Sequence, residues 1–197
     1  MDKYHITLTF AEPLLGTVSL NKEIYADYIA SKAPEGADTG DELETVAEMM
    51  EKGTTGFHRL EDGTPILYDY AVKGFLKDAC GMLARAPESG SSKLRAYRKV
   101  IDGLVFVAPR RIPIAIDGLK IGILERPLRA QTAQGERVAL ARSEMIPEGA
   151  SISFDVLILG QVTESLLKEW LEYGALRGLG QWRNASYGRF AYELSKA

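Results

Sequence analysis

RGLGQWRNASYGRF (177–190) separates a helical stretch from the last strand-like stretch of the chain, and it packs three glycines, three arginines, a Trp and a Tyr into fourteen residues. Residue types leave two readings open. Gly178, Gly180 and Gly188 permit positive φ and close backbone approach, as a helix-to-strand reversal requires. The same glycines can line up backbone N–H groups as an anion cradle. Arg177, Arg183 and Arg189 bring guanidinium forks suited to phosphate, and Trp182 and Tyr187 offer faces on which a base can stack. The string is not a dinucleotide fingerprint, because it follows a helix rather than opening one, and it lacks the G-K-[ST] of a P-loop.

Working outward, Thr163 is placed to cap a helix whose Leu166, Leu167, Trp170 and Leu171 face a core, with Gly174 near its end. After the loop, YGRFAYEL reads as a final strand. At the other end of the chain, HITLTF (5–10) sets His5, Thr7 and Thr9 against Ile6, Leu8 and Phe10, the alternation of a half-buried strand. Residues 22–31 read as weakly helical. DELETVAEMMEK (41–52) reads as a short acidic amphipathic helix with Asp41 and Glu44 at capping-box spacing. KGTTGFHRLEDGTPILYD reads as a hairpin turning at Asp62-Gly63. Asp69 is placed to cap a helix with the stripe Val72, Phe75, Leu76, Ala79 and Leu83, which Pro87 ends. Residues 92–101 read as a basic helix. LVFVA, RIPIAI, LKIGILE, ERVALAR and SISFDVLIL then read as strands, with a hairpin signal at Asp117-Gly118. This order predicts an α+β fold, an antiparallel sheet with helices on one face. One domain over 1–197 is expected, carrying an acidic helical insertion near 33–56.

With 46% hydrophobic and 26% charged residues, the composition is that of an ordinary globular chain, able to bury a core. No apolar run reaches the roughly 18 residues of a membrane span, so no membrane partner is expected. The start lacks the order of a signal peptide. Cys80 is the lone cysteine, which excludes an internal disulfide and a cysteine metal cluster. A reducing, cytoplasmic setting is the expectation. The net charge of −3 is unevenly spread: residues 71–142 hold 14 Lys and Arg against 6 Asp and Glu, whereas residues 1–70 hold 5 against 14. A basic middle beside an acidic N-terminal part can make a local positive field on an acidic protein. Arg110, Arg111, Arg126, Arg129, Arg137 and Arg142 lie on or beside strands within it. Arg137 and Arg142, five apart, face opposite sides of a regular strand. Gln131, Thr132 and Gln134 add hydrogen-bonding groups in a polar loop.

Three stretches carry a family likeness. LYDYAVKGFLKDAC (67–80) contains Lys73-Gly74-Phe75-Leu76-Lys77, which resembles the K-G-x-L-[RK] motif at the first helix of RAMP-superfamily CRISPR-associated proteins. ARSEMIPEGASISFDVLIL (141–159) resembles their turn into a core strand, and LRGLGQWRNASYGRFAYEL (176–194) resembles their C-terminal glycine-rich loop and last strand. ITLTFAEPLLGTV matches the way their first strand runs into a loop. The three occur in the family's order, and the chain is similar to a Cas7-like protein. The resemblance implies a ferredoxin-like β-α-β-β-α-β core with insertions, binding to RNA backbone, and side-by-side assembly with copies of itself or with Cas-type partners. Lys73 and Lys77 would lie near the RNA path, and Gly178, Gly180 and Gly188 with Arg183 would form the loop that touches it. Single-stranded or guide RNA is the implied partner. The acidic balance leaves open a stand-alone protein, viral or prophage in origin, that keeps the fold and changes the ligand.

No nucleophile constellation is visible, and no cofactor is implied. His58 could act as a base in a RAMP-type ribonuclease, but a lone histidine reads first as an ordinary hairpin residue. Asp38, Asp41 and Asp62 could hold Mg²⁺, but they read first as a solvated acidic surface. The expectation is therefore a binding protein without catalysis, with Arg110, Arg111, Arg129, Arg177 and Arg189 joining the lysines and the loop as RNA- or phosphate-binding residues.

Overall fold

The computed structural model describes residues 1–20, 54–132 and 135–197, with 128–132 and 135–139 described by backbone alone. The stretches read as helical at 22–31 and 41–52, and Asp38, Asp41 and Gln134, lie outside the described residues. In chain order the strands and helices are β1 (Asp2–Phe10), β2 (Leu14–Leu15), β3 (Val18–Ser19), β4 (Thr54–Gly56), β5 (His58–Arg59), β6 (Pro65–Tyr68), α1 (Asp69–Leu83), α2 (Tyr97–Leu104), β7 (Val105–Ala108), β8 (Arg111–Ala115), β9 (Gly122–Thr132), β10 (Gly135–Ile146), β11 (Ser151–Ile158), α3 (Glu164–Arg177) and β12 (Phe190–Lys196). They fall into two compact units, the first made of Met1–Leu15, His58–Lys120 and Ile146–Ala197, the second of Gly16–Phe57 and Ile121–Met145.

The first unit is built on alternation. Tyr4, Ile6, Leu8 and Phe10 of β1 are buried, while His5 and Thr9 are exposed. β1 pairs antiparallel with β11 from Asp2↔Ile158 to Thr9↔Ser151, and with β12 from Tyr4↔Lys196 to Phe10↔Phe190. That register puts Ile152, Phe154, Val156 and Phe190 on the same buried face. β7 and β8 both pair antiparallel with β11, and the sheet continues through β6 to β5. The order β12-β1-β11-β7, with α1 between β1 and β7 and α3 between β11 and β12, is the ferredoxin-like arrangement with insertions.

The helices cover the apolar face. Val72, Phe75, Leu76, Ala79 and Cys80 of α1 are buried, and the Phe75 ring meets Phe190 edge-on with centroids 5.8 Å apart. A side chain at Gly174 of α3 would collide with that Phe75 ring, so this glycine is a packing requirement. Thr163 caps α3 as read, its hydroxyl accepting from Leu166 N at 3.4 Å. Trp170 is fully buried, and its Nε1 donates to Ser91 Oγ at 2.9 Å. The carboxylate of Glu169 gathers the loop before α2: it accepts from Gly90 N at 2.7 Å, Ser91 N at 3.1 Å and Ser91 Oγ at 2.6 Å. Burial pushes the Glu169 pKa up, but these hydrogen bonds outweigh it and leave the group below its ordinary value.

Four sequence expectations change in detail. Asp69 is the first residue of α1, not its cap. Tyr68 holds the cap position in extended conformation, and Asp69 Oδ1 accepts from Tyr70 N at 2.9 Å. The helix read at 92–101 starts at Tyr97, because a 3-10 turn at Ser91–Lys93 and left-handed Ala96 (φ 50°) precede it. Asp117-Gly118 does turn, with Gly118 at φ 82°. It is not a hairpin, because β8 pairs with β6 and β11 whereas β9 pairs with β10. The turn at Asp62-Gly63 forms as read, with His58 opposite Ile66, but the first arm of the hairpin is only His58–Arg59, because Thr54–Gly56 pairs with β10 and β3.

In the second unit, β9 and β10 form a long antiparallel ribbon from Gly122↔Met145 to Thr132↔Gly135. β4 joins β10 in parallel, and β3 joins β4 antiparallel. Buried Ser143 donates to the Gly16 carbonyl at 3.1 Å, and Glu144 accepts from Phe57 N at 3.0 Å. Arg142 lies opposite Glu125 in the ribbon, with an ion pair of 2.7 Å.

Candidate nucleic-acid interface

The glycine-rich loop is first of all a clasp. α3 ends where Gly178 takes φ 85°, and Gly178 N donates to the Gly174 carbonyl at 2.7 Å. The two limbs of the loop then touch: Leu179 N donates to the Gly188 carbonyl at 2.9 Å, and Gly188 N donates to the Pro13 carbonyl at 2.9 Å. A Cβ on Gly188 would strike the Leu179 carbonyl oxygen, and one on Gly178 would strike that of Tyr187. Both residues sit at positive φ, so close approach and backbone conformation demand glycine together. Between the limbs, Trp182 and Tyr187 meet edge-on at 6.1 Å, both partly exposed.

The cations of this region have internal partners. Arg183 Nη1 lies 2.7 Å from Asp78 of α1, with the two side chains 29% and 35% exposed. Arg177 donates to Asn184 Oδ1 within the loop. Lys73 Nζ donates to the Asp102 carbonyl at 2.7 Å, and Lys77 Nζ pairs with the Asp102 carboxylate at 2.8 Å, so both tie α1 to α2. The hydrogen bond and charge of Lys77 hold the Asp102 pKa below the usual carboxylate range. A groove of about 440 Å³ runs here, lined by Lys77, Asp78, Gly81, Met82, Arg85, Tyr97, Arg98 and Asp102. Its charges are of both signs. Arg189 is exposed at the foot of the loop. The side chain of Arg129, on β9, lies outside the described residues.

On the helix-free face of the sheet, β1 and β11 carry a polar patch whose members pair with one another. His5 Nδ1 lies 2.8 Å and Lys3 Nζ 3.0 Å from the Asp155 carboxylate, and the Thr7 and Ser153 hydroxyls are 2.9 Å apart. Hydrogen bonds from His5 and Lys3 hold the Asp155 pKa below its ordinary value.

A different corner of the same unit gathers aromatics and cations. The Tyr68 ring stacks on the Tyr70 ring, with centroids 5.2 Å apart and planes 12° from parallel, and His58 meets Tyr68 edge-on at 4.8 Å. Burial lowers the His58 pKa, which favours the neutral imidazole. Tyr70 is 61% exposed. Arg111 is the cross-strand partner of Tyr68, and Asp69 N donates to the Arg110 carbonyl at 3.0 Å, which ties the tyrosines to the arginines. Tyr68, Pro109, Arg110 and Arg111 line an open cleft of about 510 Å³. Among the described residues neither arginine has a carboxylate partner. The sequence reading found the arginines but not the aromatics. The available signal was Tyr68 and Tyr70 flanking a strand-to-helix junction, with His58 opposite in a hairpin.

Among the described residues no three His, Cys, Asp or Glu side chains gather as a metal site. None of the described helices is long and apolar enough to cross a membrane.

No family model and no curated protein matches the sequence. Solved structures do match. A chain of the type III-B Cmr-beta bound to cognate target RNA superimposes with a TM-score of 0.56 at 12% identity, over 99% of this chain and 61% of that one. The two share a fold. A chain of a type IV-B CRISPR complex superimposes with a TM-score of 0.50 at 10% identity, over 98% of this chain and 90% of that one. This chain thus spans less than two thirds of the length of the Cmr-beta chain, and at these identities the likeness is one of fold.

Proposed function

We propose that this chain is an RNA-binding subunit of a CRISPR-type ribonucleoprotein, holding the backbone of a single-stranded or guide RNA without catalysis. The observation that carries this reading is the match of almost the whole chain to subunits of two CRISPR complexes, one of them bound to target RNA. The RAMP-like, Cas7-like motifs of the sequence support it, as does the excess of cations over residues 71–142. Arg110, Arg111 and Arg189 act as direct phosphate ligands, since they are exposed. Lys73, Lys77, Arg177 and Arg183 contribute charge from their ion-paired or hydrogen-bonded positions. Gly178, Gly180 and Gly188 shape the loop that carries Trp182 and Tyr187, and Arg129 adds a cation on β9. The first unit is the RAMP-like core of one domain, and the second unit and the acidic segment near 33–56 are its insertions. The subunit acts in the cytoplasm beside copies of itself or Cas-type partners.

The test is purification from cells without nuclease, followed by the ratio of absorbance at 260 and 280 nm and recovery of the bound nucleic acid. Co-purifying RNA that stays intact on incubation with either Mg²⁺ or EDTA is the expected result. A preparation free of nucleic acid that also ignores added single-stranded RNA at low salt overturns the reading. RNA that shortens on incubation overturns its non-catalytic part.

A further inference from the structure

β12 ends the sheet of the first unit, so one of its two long edges pairs with no strand among the described residues. The hydrogen bonds at its ends show which backbone groups lie on that edge. Ala197 N donates to the Lys3 carbonyl at 2.9 Å, and Ala11 N donates to the Arg189 carbonyl at 2.8 Å. Between these bonds the register runs from Tyr4↔Lys196 to Phe10↔Phe190, so Ala191, Glu193 and Ser195 turn their N–H and C=O groups toward β1. Tyr192, Leu194 and Lys196 turn theirs outward, and among the described residues no backbone hydrogen bond reaches them. An open edge is a template for another strand, and proteins that keep it single blunt it with proline, a bulge or a projecting lysine. β12 contains no proline, and its register has no break. Its one lysine is drawn inward: Lys196 Nζ lies 2.8 Å from Asp2 Oδ1 and over the Tyr4 ring.

We propose that this edge pairs with the same edge of a second copy, antiparallel about a two-fold axis at Leu194, so that the sheet runs on through the dimer. The inference rests on the part of the proposed function that sets copies of this chain side by side, and it needs no RNA. The strand is self-complementary about that axis. Leu194 meets the partner's Leu194, Tyr192 meets the stem of the partner's Lys196, and Glu193 meets the partner's Ser195. An axis at Glu193 sets two carboxylates face to face, which is unfavourable. An axis at Ser195 runs off the end of the strand, which stops at Lys196. With the axis at Leu194 the outward groups of Tyr192, Leu194 and Lys196 face one another. Each such pair exchanges two bonds, about six in all. Tyr192 and Leu194 are half-buried in one copy, and pairing covers them further. One strand a side is a small interface, so the dimer is weak and depends on concentration.

The experiment uses the full chain freed of nucleic acid. Sedimentation velocity follows its mass from about 5 to 500 μM, the range in which a weak interface shows. Amide hydrogen exchange, read by NMR at both ends of that range, locates the contact. The expected result is a shift from monomer to dimer, with the amides of Tyr192, Leu194 and Lys196 slowing about 10-fold or more on concentration. The amides of Ala191, Glu193 and Ser195 are protected throughout. Leu194→Pro deletes an outward N–H that β1 does not use, a change an edge strand tolerates, and it leaves the chain monomeric. Leu194→Lys, which sets like charges across the axis, does the same. Ser195→Pro deletes an N–H that β1 does use, and it lowers the melting temperature instead. A wild type that stays monomeric, or a dimer that persists in both Leu194 variants, overturns the proposal. So does a dimer in which the amides of Tyr192, Leu194 and Lys196 gain no protection. RNA binding is measured separately on the wild type. A monomer that binds RNA sinks the edge pairing alone, and an edge-paired dimer that ignores RNA sinks the RNA reading alone.

Discussion

Gly188→Ala asks what the glycine-rich loop is for. Gly188 sits at φ 70°, and a methyl group there would run into the carbonyl oxygen of Leu179. The left-handed conformation costs a non-glycine residue about 1–2 kcal/mol. The clash pushes apart limbs joined by the bond from Leu179 N to the Gly188 carbonyl, 2.9 Å long, and a second bond runs from Gly188 N to Pro13. A buried backbone hydrogen bond that is lost costs about 1–3 kcal/mol. Together these give roughly 2–5 kcal/mol. For a domain of this size each kcal/mol moves the melting temperature by about 2–4 °C, so a fall of roughly 4–20 °C is expected. Differential scanning fluorimetry measures it, and circular dichroism confirms that the loss is one cooperative transition. A shift within about a degree, accompanied by loss of RNA binding, would refute the reasoning: the loop would then be a phosphate cradle and not a clasp.

Trp170→Ala should cost about 3–5 kcal/mol by chemical denaturation, since the ring is fully buried and its Nε1 serves Ser91. Glu169 has a pKa below its ordinary value in the folded chain, so its contribution is complete above the ordinary carboxylate range. That contribution fades as pH falls through that range toward the lower folded-state pKa, because the unfolded chain binds the proton first. Ser91→Ala, which removes one hydroxyl donor to Glu169, should flatten this acid limb in melts run across pH. Arg183→Ala, at a half-exposed ion pair with Asp78, should change stability by about 1 kcal/mol or less in equilibrium unfolding.

What was legible in the sequence was what is local. The alternation of Ile6, Leu8 and Phe10 against His5 and Thr9 is written into consecutive residues, and β1 follows from it with its correct buried face. The Thr163 cap and the Leu166–Leu171 stripe are likewise short-range, and α3 begins where they place it. The start of α2 was not legible, because Ser91 is held by Glu169 from a helix 78 residues away and the chain needs the left-handed Ala96 before it can coil again. The Asp117-Gly118 turn was recognised, but the partners of its flanking strands were not, since pairing depends on β6, β10 and β11. At the candidate site the arginine forks are visible as composition. Their accounts are not: Arg183 meets an aspartate 105 residues earlier, while Arg110 and Arg111 meet none among the described residues. The stack of Tyr68 on Tyr70 with His58 against its edge requires a hairpin and a strand-to-helix junction to close on each other.

The most direct test of RNA binding is a titration of the full chain with a labelled single-stranded RNA across a series of salt concentrations, from about 50 to 200 mM. Contacts to backbone phosphates release condensed counterions, so the logarithm of affinity should fall linearly with the logarithm of salt, at a slope of about −0.7 for each phosphate contacted. A straight line with a slope steeper than about −1.4, the value for the two phosphates that Arg110 and Arg111 would hold, is the predicted result. No binding at the lowest salt, or binding whose affinity does not change with salt, would contradict it.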